Sequence, residues 1–138
     1  MRLHKDAKAE LIRSLPLFAD CTVPEVAEVA AIADEIDLSA GRKLTTENAE
    51  GQEFVVIIDG HAEVKKGEDK IAELDAGDFF GEIALLTGGP RTATVLATTN
   101  VHALVIEGHA FRRLLEDAPD IREKVERALA DRTDADRG

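Results

Sequence analysis

The sequence has no tryptophan or tyrosine, a single cysteine and a single methionine, and only two serines, Ser14 and Ser39. These scarcities close off several classes. Cys21 alone cannot form an internal disulfide, so the chain is not a disulfide-stapled secreted domain, and a reducing cytoplasm is the expected setting. Two serines outside any G-x-S-x-G pattern leave serine-nucleophile chemistry almost without candidates, and neither H-E-x-x-H nor a P-loop occurs. Positive charge is also short: 17 Lys+Arg stand against 28 Asp+Glu, a formal net charge of −11. Binding to nucleic acid needs phosphates neutralised by Lys and Arg, and an anionic membrane surface attracts basic segments, so neither partner is expected. No run approaches the roughly 18 apolar residues of a membrane span, and no signal-peptide apolar region opens the chain. What remains is ample for a core. The 138 residues are 44% hydrophobic, enough for one domain that hides about two-thirds of its unfolded surface.

Glycine, by contrast, is concentrated. Nine of the ten glycines fall between Gly41 and Gly108, which reads as a strand-and-turn middle between helical ends. At the front, Lys5–Leu15 predicts a short helix ended by Pro16. Thr22 and Glu25 form a capping box with Pro24 in the first turn. Val26, Val29, Ala30 and Ala33 then share one helical face. In the middle, the apolar run Phe54–Ile58 stops at Asp59-Gly60, a two-residue hairpin signal, with Ala62 and Val64 on the return strand. Lys66–Asp69 marks the next turn, and Thr94–Ala97 and Val101–Ile106 read as further strands. Short strands at this spacing suggest a sandwich or barrel. Phe111, Leu114 and Leu115 mark a helix. Asp117 is the expected N-cap of a last helix, with Ile121, Val125, Ala128 and Leu129 on one face.

The stretch that carries chemistry is Phe79-Phe80-Gly81-Glu82-Ile83-Ala84-Leu85-Leu86-Thr87-Gly88-Gly89-Pro90-Arg91-Thr92-Ala93-Thr94-Val95. It predicts a strand ending at Gly81, a short helix over Glu82–Leu86, a Gly-Gly-Pro turn, and Arg91 entering a strand. The unpaired N–H groups opening a helix favour an anion. Gly81 lets a ligand approach the backbone, and the Arg91 guanidinium is a fork of donors suited to phosphate. Glu82 is badly placed beside a bare phosphate but well placed to accept from a ribose hydroxyl. Leu85, Leu86 and Val95 read as core.

This stretch resembles the phosphate-binding cassette of the cyclic nucleotide-binding domain family, which includes catabolite-activator-type regulators, protein kinase A regulatory subunits and nucleotide-gated channels. The resemblance implies an α+β fold: an eight-stranded antiparallel β-roll of jelly-roll type flanked by N-terminal and C-terminal helices. It implies a single domain over 1–132, with N-terminal helices over 1–34, the roll over 35–107, the cassette over 79–95 and lid helices over 108–132. A disordered tail is expected over 133–138. In such a site Glu82 holds the ribose 2′-hydroxyl and Arg91 the cyclic phosphate. The backbone amides of Ala84 and Thr92 complete the cradle, lined by Gly81 and Ile83, with Ala93 alongside. One departure is upstream, where Asn48-Ala49-Glu50-Gly51-Gln52 replaces the family's G-E-x-G-D turn.

The implied ligand is a 3′,5′-cyclic nucleotide, cyclic AMP ahead of cyclic GMP, bound without catalysis and without a metal. Arg132 continues the stripe of Ile121, Val125 and Leu129, and is the expected base-capping residue. No helix-turn-helix, kinase, cyclase or channel segment is visible, so a stand-alone sensor acting on a protein effector in trans, or as a homodimer, is expected, the alternative being one domain of a larger protein. Two rivals are a cupin-like metal enzyme and a degenerate domain serving only as an interaction surface. His61, His102 and His109 are widely separated with no H-x-H pair, and His102 is expected to face solvent. Cys21 precedes a helix N-terminus, which tends to lower a thiol pKa, although a structural thiol is the simpler role.

Overall fold

The structure is a computed structural model and describes residues 5–45, 53–81 and 93–137. Helix α1 (Lys5–Ser14), a 3-10 turn (Pro16–Phe18) and helix α2 (Val23–Ile32) come first. The strands are β1 (Ala33–Leu38), β2 (Lys43–Thr45), β3 (Glu53–Asp59), β4 (Ala62–Lys66), β5 (Asp69–Leu74), β6 (Phe79–Phe80), β7 (Thr94–Ala97) and β8 (Val101–Glu107). Helices α3 (Gly108–Asp117) and α4 (Pro119–Arg137) come last. Two compact bodies result, one of strands over 33–108 and one of helices over 1–32 and 109–138.

The strand body is the β-roll that the cassette pattern implies. Its two antiparallel sheets have strand orders β1-β8-β3-β6 and β2-β7-β4-β5. Inward-facing side chains of both sheets form one core: Val55, Ile57, Phe80, Ala103 and Val105 from the first, Ala62, Leu74, Val95 and Ala97 from the second. Strand β3 buries four successive residues, Phe54–Ile57. That is why it reads as an unbroken apolar run rather than an alternating one.

The Asp59-Gly60 signal proves to be a sheet-switching corner and not a hairpin, since β3 and β4 lie in different sheets. The β7–β8 turn takes the backbone groups that hairpin pairing would use. Thr99 Oγ1 accepts the His61 N–H at 2.9 Å, and the Thr98 N–H donates to the His61 carbonyl at 3.0 Å. Gly60 sits at φ +103°, and a Cβ there would lie 2.3 Å from the Asn100 carbonyl oxygen. Only glycine fits. The true hairpin is the next one, where Lys66 pairs with Asp69 around Gly67 at φ +61°.

In the helical body the capping box forms as read. The Thr22 N–H donates to Glu25 Oε1 at 2.8 Å and the Glu25 N–H to Thr22 Oγ1 at 3.3 Å. Ala33, expected on the face of α2, instead opens β1 opposite Ile106. Lys8 Nζ donates to the Ala30 carbonyl at 2.7 Å, satisfying an orphan acceptor at the end of α2. Ala118, not Asp117, is the N-cap of α4. Its N–H closes α3 on the Leu114 carbonyl at 2.9 Å, while its own carbonyl accepts from Arg122 N–H at 3.1 Å. Asp117 is still inside the last turn of α3. Helix α4 runs to Arg137, past residue 132 where the sequence reading closes the domain, because no Gly or Pro interrupts 133–137.

Candidate functional site

The two described ends of the cassette lie on different sheets. Its leading end, β6, pairs with β3 through Val55↔Phe80 and Val56↔Phe79. Its trailing end, β7, pairs with β4 through Val64↔Val95 and Lys65↔Thr94. Phe79 and Phe80 lie on opposite sides of the strand. Phe80 enters the inner core, and Phe79 meets the Phe54 ring with centroids 5.4 Å apart. Gly81 follows at φ +101°, a left-handed conformation that disfavours any side chain. The conformation accounts for glycine at this position.

A second support is absent from the sequence reading. The turn Asp75–Asp78 is closed by the Asp75 N–H donating to Asp78 Oδ2 at 2.8 Å and the Asp78 N–H donating to the Asp75 carbonyl at 3.0 Å. The turn is bolted to β3 by the Gly77 N–H on the Ile57 carbonyl at 2.7 Å and the Ile57 N–H on the Asp78 carbonyl at 2.8 Å. This double bond fixes the entry into β6 and so the start of the cassette. The Asp-x-Gly-Asp composition was the available signal, since Asp side chains close such turns on their own backbone.

Of the expected site residues, Gly81 and Ala93 are described and bracket the segment between them. Glu82, Ile83, Ala84, Arg91 and Thr92 lie outside the described residues, as do the expected helix over 82–86, the Gly88–Pro90 turn, Leu85 and Leu86, and the 48–52 departure. Val95 is core, as read. Arg132 falls within α4, and its side chain is outside the described set. On β4 and β5 the inner face loses its cover: Val64 is half-buried against the core, and Ala72, directly across from it, is exposed, as is its neighbour Ile71.

The titratable groups correct the expectation for His102 and favour the simpler of the two roles for Cys21. His102 does not face solvent freely, because its Nε2 lies 3.0 Å from Oε2 of the largely buried Glu35. Cys21 is not activated by its helix. Burial first, then the Glu25 carboxylate, pushes its thiol up to about 11, which suits a structural thiol. His61 Nδ1 is paired with Asp75 beside Glu63, Glu73, Thr98 and Thr99. Among the described residues no group of three or more His, Cys, Asp or Glu side chains is arranged to hold a metal. No described helix is long and apolar enough to cross a membrane.

Comparison with known proteins reaches the same segment. The family model for the cyclic nucleotide-binding domain matches residues 35–118, from within β1 to the α3–α4 joint. The chain belongs to the cyclic nucleotide-binding domain family. The cAMP-dependent protein kinase regulatory subunit of Mycosarcoma maydis is 32% identical over 124 residues, covering 83% of this chain and 24% of that protein. A cyclic nucleotide-gated potassium channel of Rhizobium etli is 30% identical over 123 residues, covering 89% of this chain and 34% of that protein. The chain thus spans about a quarter to a third of the curated relatives it matches. Among solved structures, cAMP-bound PfPKA-R superposes with a TM-score of 0.87 at 27% identity, covering 95% of this chain and 45% of that one. A PKAR CBD2 bound to Sp-2Cl-cAMPS gives 0.84 at 26% identity, covering 95% of this chain and 90% of that one. Membership of the cyclic nucleotide-binding domain family agrees with the roll, with the positive φ of Gly81 and with the two described ends of the cassette lying on different sheets.

Proposed function

We propose that this domain binds cyclic AMP in preference to cyclic GMP and acts as a regulatory sensor without catalysing a reaction. The observation that carries the reading is the cassette pattern in the sequence together with its two described ends, β6 leading into Gly81 at φ +101° and Ala93 leading into β7. In this reading Arg91 pairs with the cyclic phosphate, Glu82 accepts from the ribose 2′-hydroxyl, and the amides of Ala84 and Thr92 donate to phosphate beside Gly81, Ile83 and Ala93. The half-buried Val64 and exposed Ala72 and Ile71 supply apolar surface for a purine. Arg132 caps the base from α4, and α3–α4 is the moving lid. The functional domain is 1–132, and it works in the cytoplasm on a protein effector in trans or through self-association. The relatives support a regulatory role, being kinase regulatory subunits and a channel that uses nucleotide gating.

Displacement of a fluorescent cyclic nucleotide by cyclic AMP, cyclic GMP and 5′-AMP tests this. Both cyclic nucleotides displace the probe, cyclic AMP at lower concentration, and 5′-AMP does not compete. In this reading the Thr92 hydroxyl accepts from the 2-amino group of a syn guanine, a hydrogen bond of about 0.5–1.5 kcal/mol. Thr92→Ala therefore lowers affinity for cyclic GMP up to about tenfold and leaves cyclic AMP nearly unchanged. Equal competition by 5′-AMP, or displacement by neither cyclic nucleotide, contradicts the reading and favours a degenerate interaction module.

A further inference from the structure

Lys124 joins the two ends of the chain. Its Nζ donates to the Pro16 carbonyl at 3.0 Å and pairs with Asp20 Oδ2 at 2.9 Å, so one side chain of α4 grips the segment that starts with the 3-10 turn. The charges around it are otherwise acidic. Asp20, Glu25 and Asp120 all act on the neighbouring Cys21, and Lys124 is the cation among them. Beneath the grip, Leu17 and Phe18 of the turn and Ile121 and Val125 of α4 are buried. Lys124 is 30% exposed and Asp20 72%, so the ion pair is solvated and worth little by itself; the grip rests on both contacts converging on one side chain.

We infer that Lys124 is a latch that makes the N-terminal turn and helix α4 respond as one body, so that nucleotide occupancy sensed through α3–α4 is delivered to the N-terminal helices. The inference rests on the proposed nucleotide binding for its input, but the latch itself exists without ligand. A side chain that donates to a backbone carbonyl while pairing with a carboxylate adds two directional contacts to the apolar packing, and displacement breaks both together.

Amide hydrogen exchange on the full chain, with and without saturating cyclic AMP, reads the latch. The reporters are Phe18, Ala19 and Cys21, whose N–H groups close the turn on Leu15, Pro16 and Phe18 carbonyls. Without nucleotide, Lys124→Ala speeds exchange at these amides by about three- to tenfold. In the unmodified protein cyclic AMP alters exchange both in α3–α4 and at the turn; in Lys124→Ala it alters α3–α4 alone. Asp20→Asn, which keeps the bond to Pro16, gives a smaller loss of coupling and serves where the alanine variant does not fold. Lys124→Arg retains both responses. A turn that exchanges as slowly in Lys124→Ala and Asp20→Asn as in the unmodified protein, or that still answers cyclic AMP in full, overturns the latch. Exchange unchanged everywhere on adding cyclic AMP to the unmodified protein contradicts nucleotide binding itself, a different result.

Discussion

At the scale of single residues, chemistry was legible where it depends on what a side chain can do. Arg91 and Glu82 stand out because a guanidinium and a carboxylate at that spacing around a Gly-opened turn suit a phosphate and a ribose together. Arg91→Ala is expected to weaken cyclic AMP binding by about 2–5 kcal/mol, since it leaves the phosphate without its cation. Glu82→Ala is expected to cost less, about 1.5–3 kcal/mol. Equilibrium titration of both variants checks the order as well as the size. The environments of His102 and Cys21 were not legible. Glu35 meets His102 only because β1 and β8 pair in one particular register. The thiol pKa is set first by burial, which local sequence does not encode.

At the scale of elements, periodicity and capping located the helices and strands, but not the partners of the strands. Asp59-Gly60 has the composition of a hairpin, and what overrides it is a competitor forty residues on, the Thr98–Asn100 turn that claims His61 and crowds Gly60. Gly60→Ala meets both a left-handed φ and a backbone oxygen. It is expected to destabilise the roll by about 2–5 kcal/mol, seen as a lower urea midpoint with an unchanged denaturant slope. The α3–α4 joint was placed to within a residue, since Pro119 had to open a helix and Ala118 merely precedes it. If the last helix is the lid, Arg132→Ala speeds nucleotide dissociation several-fold and leaves association nearly constant, because a lid acts after encounter. Stopped-flow chase experiments measure both rates, and identical dissociation returns Arg132 to a surface role.

At the scale of the whole molecule, the acidic excess has a cost that can be placed. Burial, a hydrogen bond with Asp117, and the charges of Asp117 and Glu25 hold the Glu28 carboxyl above its usual range. A raised carboxyl favours the folded state while protonated, and that contribution is lost as pH rises through its folded value. Glu28→Gln is therefore expected to raise the melting temperature at neutral pH, with the gain vanishing below the ordinary glutamate range. Thermal melts across pH show it directly. An equal gain at every pH removes the assignment to ionisation.

Composition argued against nucleic acid and an anionic membrane surface as partners, and glycine distribution separated roll from helices, because both are properties of the chain summed over its length. The pairing of β3 with β8 and β6 is instead fixed by contacts far apart in sequence. The claim on which everything else depends is that the segment between Gly81 and Ala93 receives a cyclic nucleotide. Calorimetric titration of the purified protein with cyclic AMP, repeated with Arg91→Ala, tests it most directly. One site per chain with saturable heat, lost or weakened by about thirtyfold or more in the variant, is the predicted result. No heat in the unmodified protein, or identical isotherms for the two, would contradict it.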